Sequence, residues 1–312
     1  MTRGIGWFDS FRAVAPDWSV VLLGLVTQLG DVWFLGFLVG VVYWAAVPDR
    51  RDEAATVLGV TLAGLSLITG LKEVFALSRP DRVLVAAETL PETVHPLYRA
   101  TATATGYGFP SGHALMSTIV YLSLAEYLSV GTRRQRYLGA AGIVTAVSFS
   151  RVALGVHYLV DVVAGVVVAL VFLLLAAGLF DRYPDRRGTV GFALAVGVAV
   201  LSLVPARTDP DAVLLFGTSL GAFAGWQLAV LVRDLEAGNG PIRTSRPLIA
   251  RATVATLVVV GLVAVTVSYW AVPVIAGSGL LGLAAAAFVT APVLYRSDHV
   301  GELVRESPAR SQ

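Results

Sequence analysis

Ser150-Arg151-Val152-Ala153-Leu154-Gly155-Val156-His157-Tyr158-Leu159-Val160-Asp161 brings four polar side chains to the mouth of an otherwise continuous apolar run. An ionisable side chain at the centre of a membrane helix costs about 2.5–3.5 kcal/mol on insertion scales, so residues kept in such a place are candidates for chemistry. His157 and Asp161 are four apart, which on a helix puts them on one face, one turn from each other. An acid one turn from an imidazole holds a ring N–H, fixes the tautomer and raises the basicity of the other nitrogen. The same spacing would serve a structural pair that merely satisfies itself inside a bundle. The stretches around it decide between the two.

The flanking runs belong to a 312-residue chain that is 56% hydrophobic and 14% charged, with a mean hydropathy of +0.75, too apolar for a soluble domain of this length. The expected fold is all-α: a polytopic membrane helical bundle. Runs long enough to cross lie near 31–47, 54–76, 112–130, 137–153, 158–180, 189–206, 212–232, 250–270 and 275–295. Residues 1–30 mix Arg3, Asp9, Arg12 and Asp17 with Trp7, Phe8, Phe11 and Trp18, which suits an interfacial segment. No basic stretch followed by a small-residue cleavage site marks a signal peptide there. The organisation expected is an interfacial segment at 1–30, a core at 31–180, about four additional helices at 189–295 and a cytoplasmic tail at 296–312.

The chain has no cysteine, which removes disulfides, thiolate nucleophiles and thiolate-bound metals. Its charges cluster between apolar runs and form no basic stripe, which argues against nucleic acid as a partner. If alternate loops share a side, 15 of the 23 basic residues fall on one face, among them Arg50, Arg51, Arg133, Arg134, Arg136, Arg182, Arg186 and Arg187. By the positive-inside rule that face is cytoplasmic, and the long loop 77–110 and the mouth of span 158–180 are extracytoplasmic.

Two further blocks fall on that outer face. Lys72, the single lysine of the chain, and Arg79 are seven apart at the end of the second span, so they share a helix face, and Pro80 stops the helix. Two cations at the water boundary suit a dianion such as phosphate, although snorkelling cations look the same. Pro110-Ser111-Gly112-His113 then opens a helix, with Ser111 placed as N-cap and free backbone N–H groups beside Gly112 to cradle an anion. Three blocks on one side of the membrane make three separate coincidences hard to sustain.

Lys72-x6-Arg79-Pro80, Pro110-Ser111-Gly112-His113 and Ser150-Arg151-x5-His157-x3-Asp161 fill all eleven positions of a three-block signature, and with it the chain resembles the type 2 phosphatidate phosphatase family. Its members include membrane lipid phosphate phosphatases and polyprenyl diphosphate phosphatases, and they share a helical core with vanadium haloperoxidases and soluble acid phosphatases. The resemblance covers roughly 31–180. It departs in lacking a further membrane helix before the core and in the four spans after 180, which have no counterpart.

The resemblance implies roles residue by residue. His157 would be the nucleophile that forms a phosphohistidine, Asp161 its orienting acid and His113 the general acid for the leaving oxygen. Lys72, Arg79, Ser111, Gly112 and Arg151 would hold the phosphoryl oxygens. No metal and no cofactor is implied. The partner would be a lipid phosphate or diphosphate, polyprenyl diphosphate and phosphatidate-type lipids leading, met from the outer side of the cell membrane. The alternatives are a phosphotransferase of the same fold, a vanadate-dependent haloperoxidase, and a transport or assembly protein carrying an accessory phosphatase core.

Overall fold

Apolar runs that cannot leave backbone groups unpaired in lipid must close their hydrogen bonds within themselves, and here they do so as helices. The computed structural model describes residues 13–16, 18–80, 92, 95, 98, 104–207, 209–236 and 272–295. Its helices are α1 (Ser19–Gln28), α2 (Val32–Ala45), α3 (Arg51–Phe75), α4 (Gly112–Tyr127), α5 (Arg133–Ala153), α6 (Leu159–Arg182), α7 (Arg187–Ser202), α8 (Pro210–Glu236) and α9 (Val272–Leu294), with no strand among the described residues.

Local chemistry sets the ends. Asp31 caps α2 through its side chain, and Thr132 with Gln135 forms a capping box at the start of α5. Four helices, α3, α6, α8 and α9, are long and apolar enough to cross a membrane, or five spans result if the α1–α2 pair, bent by 41°, counts as one. Among the described residues this is fewer than the nine spans expected for the whole chain. α4 and α7 have 16 residues each, short of the roughly 20 that a span needs. α5 starts with Arg133, Arg134 and Arg136 and ends beside Arg151, which lowers its apolarity. Residues 250–270 lie outside the described residues.

Two compact units divide the chain, Met1–Ala206 and Arg207–Gln312. In the first, α4 is central: residues Ala114–Tyr121 are buried one after another, so that helix meets protein on every side. Leu115, Met116 and Ile119 of α4 pack with Leu35 and Val39 of α2, Val60 and Ile68 of α3, and Ala169 and Phe172 of α6. α6 turns Val163, Val167, Leu174 and Leu175 outward, as a lipid-facing stripe does. Small residues let backbones close up. A Cβ on Gly59 of α3 would lie 2.5 Å from the Gly191 backbone of α7, so α7 packs with the core, inside the region expected to begin the additional helices. In the second unit α8 and α9 pair through Gly217, Gly221 and Gly225 against Ser278, Gly282 and Ala286, and the Ser278 hydroxyl donates to the Val213 carbonyl at 2.8 Å.

Candidate active site

The C-terminal ends of α3 and α5 and the N-terminal ends of α4 and α6 meet, and each delivers part of the motif. α3 stops at Phe75 because Ala76 adopts a left-handed conformation (φ 47°), its N–H closing on the Lys72 carbonyl at 2.8 Å. Arg79 is therefore not on the helix face that carries Lys72, contrary to the seven-residue spacing. It arrives through an irregular segment tied by the Gly108 N–H to the Leu77 carbonyl (2.7 Å). A Cβ at Gly108 would sit 3.0–3.1 Å from Arg79 and the Ser78 carbonyl, so glycine is what admits this close pass.

Arg79 is fixed by many contacts. Its Nε donates to the carbonyls of Thr105 and Gly106, both at 3.1 Å, and its Nη1 donates to the Val156 carbonyl at 3.1 Å and to His157 Nε2 at 2.8 Å. Burial pulls the guanidinium down from its ordinary pKa and Asp161 pulls it up.

A ring nitrogen that accepts from a guanidinium carries a lone pair and no proton, so the hydrogen of His157 belongs on Nδ1. Nδ1 faces Asp161 Oδ2 at 3.6 Å, longer than a hydrogen bond, with both residues buried. His157 lies in the turn before α6, which starts at Leu159, so the two meet across a helix start and not along a helix face. The Tyr158 N–H donates to Asp161 Oδ2 at 2.9 Å and holds the carboxylate in place. Burial first, then the charges of Arg79, Arg151 and Lys72, push the His157 imidazole well below its usual pKa, and a Gly108 backbone contact opposes them.

Ser111 occupies the N-cap position of α4, but its hydroxyl makes no capping bond. That Oγ is buried without a hydrogen-bond partner, as are Arg151 Nε, His113 Nε2 and His157 Nδ1. Such orphans are costly unless a ligand or neighbour satisfies them, and these four belong to the same constellation. The Ser111 N–H donates to the Asp161 carbonyl at 2.9 Å, and a Cβ on Gly165 would be 2.6 Å from the Ser111 carbonyl, so α6 rests directly on the start of α4. Around Gly112 packing is looser: a Cβ there would meet Ile68 at 3.5 Å and Lys72 Nζ at 3.9 Å, which leaves the ammonium beside the free N–H groups of the helix start. Arg151, buried near the end of α5, donates from Nη1 to Thr27 Oγ1 at 2.8 Å. His113 Nε2 lies 3.7 Å from Asp31 Oδ2.

All eight predicted site residues thus lie in one connected cluster. Thr27, Gly30, Asp31, Gly108 and Gly165 also shape it and carry no motif of their own. Asp31 ahead of an apolar run is a readable N-cap signal, but only the fold reveals what else it faces. Among the described residues no three His, Cys, Asp or Glu side chains gather as a metal-ligand set.

Residues 54–184, which hold Lys72 through Asp161, match the PAP2 superfamily. This segment of the chain belongs to that superfamily. The chain is 24% identical over 211 residues to a probable sphingosine-1-phosphate phosphatase of Dictyostelium discoideum, covering 64% of this chain and 51% of that one. It is 32% identical over 101 residues to phosphatidylglycerophosphatase B of Bacillus subtilis, covering 30% and 49%. The chain therefore spans about half the length of the curated relatives it matches. A transmembrane PAP2-type phosphatidylglycerolphosphate phosphatase structure from Bacillus subtilis aligns with a TM-score of 0.44 at 24% identity, over 56% of this chain and 83% of that one.

Proposed function

We propose that this chain is a membrane lipid phosphatase that cleaves a lipid phosphate or diphosphate through a phosphohistidine. The observation that carries this reading is the buried His157, its Nε2 lone pair at 2.8 Å from Arg79 and its Nδ1 backed by Asp161. As the Arg79 guanidinium turns from Nε2 to the phosphoryl oxygens, the freed Nε2 lone pair attacks phosphorus while the bond from phosphorus to the leaving oxygen breaks, and protonated His113 gives that oxygen its proton. Water then attacks phosphorus as the P–N bond breaks, one of its protons passes to a phosphoryl oxygen, phosphate leaves and His157 is restored, while His113 regains its proton from solvent. Lys72, Arg79 and Arg151, with the Ser111 hydroxyl and the Gly112 N–H, bind oxygens whose charge redistributes in the transition state.

One feature supports a lipid substrate and another an outward-facing site. Val74, Phe75 and Leu77 beside the cations, and Leu159, Val160 and Val163 around Asp161, are exposed apolar side chains, so hydrocarbon contact begins within a turn of the phosphate residues. The opposite helix ends carry Arg50, Arg51, Arg133, Arg134, Arg136, Arg182 and Arg187, which by the positive-inside rule favours an extracytoplasmic site in the cell membrane. Polyprenyl diphosphate and phosphatidate-type lipids are the leading substrates.

The test is phosphate release by purified protein in detergent with a chelator, comparing polyprenyl diphosphate, phosphatidate and a soluble phosphate ester. Lipid substrates are expected to turn over fastest, His157→Ala to abolish turnover and Asp161→Asn to leave weak activity. Full activity in folded His157→Ala protein would refute the assignment.

A further inference from the structure

The bent junction between α1 and α2 is built against the acid side of the site, outside the matched segment. Its position is fixed from several directions. The Tyr121 hydroxyl donates to the Leu29 carbonyl at 2.8 Å, Trp33 Nε1 donates to Gln28 Oε1 at 2.9 Å, and Arg151 donates to Thr27. Gly30 is pressed so close that a Cβ there would lie 2.5 Å from Val147 and 3.4 Å from the His113 ring. The next residue, Asp31, divides its carboxylate. Oδ1 accepts from the Trp33 N–H at 3.4 Å as a long N-cap bond, and Oδ2 lies 3.7 Å from the buried, otherwise unpartnered His113 Nε2.

From this geometry we infer that Asp31 is the positioning residue of the general acid, the ion-pair partner that faces Nε2 of protonated His113 at a distance longer than a hydrogen bond, so that Nδ1 is the nitrogen that serves the leaving oxygen. The inference rests on the role proposed above for His113. The physical need is plain. Burial is the first obstacle to a protonated His113, and after it come the charged groups that reach the ring: Arg151 at the end of α5, His157 in the turn before α6, Lys72 on α3 and Arg79 in the segment after α3. All are cationic or become so on protonation, and they oppose a protonated His113. Asp31, at the start of α2, is the carboxylate in ion-pair contact with it. An anion there favours the imidazolium and orients its ring, and the same carboxylate supports the charge of Arg151. The two imidazoles thus have one carboxylate each, Asp161 behind the nucleophile and Asp31 behind the acid.

Asparagine caps helices about as well as aspartate, so Asp31→Asn removes the charge and keeps the cap. Asp31→Ser, a second capping residue, guards against a variant that fails to fold. Full-length protein is assayed with a long-chain alkyl phosphate, whose alkoxide must be protonated, and with nitrophenyl phosphate, whose leaving group needs no proton. With the alkyl ester, kcat is expected to fall about 10- to 100-fold, below the ~10²–10⁴ that an entire general acid supplies. KM and nitrophenyl turnover stay nearly unchanged. The basic limb of the pH profile moves to lower pH, because the acid form of His113 loses its anion. His113→Gln shows the same split between substrates, and Asp31→Asn added to it costs nothing more. Equal losses on both substrates, no loss on either, or an unmoved basic limb would overturn the inference. If His113→Gln itself shows no split, the role of His113 has failed, and with it the inference; if that split is present and Asp31→Asn lacks it, the Asp31 assignment alone falls.

Discussion

An imidazole attacks phosphorus only through an unprotonated nitrogen, and burial together with Arg79, Arg151 and Lys72 holds His157 in that form. The sign follows directly. Activity carried by free Nε2 survives as the pH drops through the ordinary imidazole range near ~6.5 and is lost only when it falls through the lower folded-state value. The acid limb of kcat/KM is expected below that range, and Lys72→Met should move it up, since one of the opposing charges is gone; a profile across acid pH checks both. Ser111 offers a cleaner separation of roles. Replacing a capping serine usually costs about 1 kcal/mol of stability, but this hydroxyl makes no cap bond. Ser111→Ala should therefore leave thermal stability unchanged and raise KM about 10-fold or more, the loss of one hydrogen bond to a charged group at ~1.5–3 kcal/mol. The residue types of the motif were legible because phosphoryl transfer demands them at fixed places. Thr27 and Asp31 were not, because a threonine in an apolar run and an aspartate at a helix start look ordinary until Arg151 and His113 arrive from more than eighty residues away.

At the scale of elements, apolar runs disclosed where helices lie, and backbone details decided where they end. The spacing of Lys72 and Arg79 read as two turns of one helix, yet α3 stops at Ala76, an alanine at positive φ with no local glycine or asparagine to announce the break. Pro80 is visible in sequence and the earlier stop is not, since the segment after Ala76 is held by contacts with Gly108 and with the carbonyls that Arg79 grips. The junction of α4 and α6 depends in the same way on Gly165. Gly165→Ala sets a methyl 2.6 Å from the Ser111 carbonyl, backbone that cannot swing aside, so α6 must retreat and strain the bond from the Ser111 N–H to the Asp161 carbonyl. A displacement of about 1 Å between nucleophile and cradle costs on the order of 10² in rate. We expect that loss in kcat with helix content by circular dichroism retained. Gly178→Ala, on the same helix with nothing within 4 Å of its Cβ, should leave activity intact.

For the molecule as a whole, the motif lies between Lys72 and Asp161, and a cut after residue 180 looked natural because ionisable groups stop clustering there. The first compact unit runs on to Ala206. α7 packs along α3 through Gly59 and Gly191, Ser202 lies 3.0 Å from a Cβ built on Gly70, and the Gly188 N–H donates to Asp52 at 2.9 Å. Glycines inside apolar runs gave no hint of which helix they would meet. Two truncations separate the boundaries. A chain ending at Ala206 keeps the first unit entire, with both carboxylate–imidazole pairs and the cationic residues, and it should retain phosphate release per mole of folded protein. A chain ending at Arg186 strips α7 from α3, exposes the glycine face to lipid and leaves Asp52 without its Gly188 contact. It should lose thermal stability and most activity. If the chain ending at Ala206 is folded and inactive, the second unit contributes to turnover itself; if the chain ending at Arg186 is fully active, the α3–α7 contact is dispensable to the site.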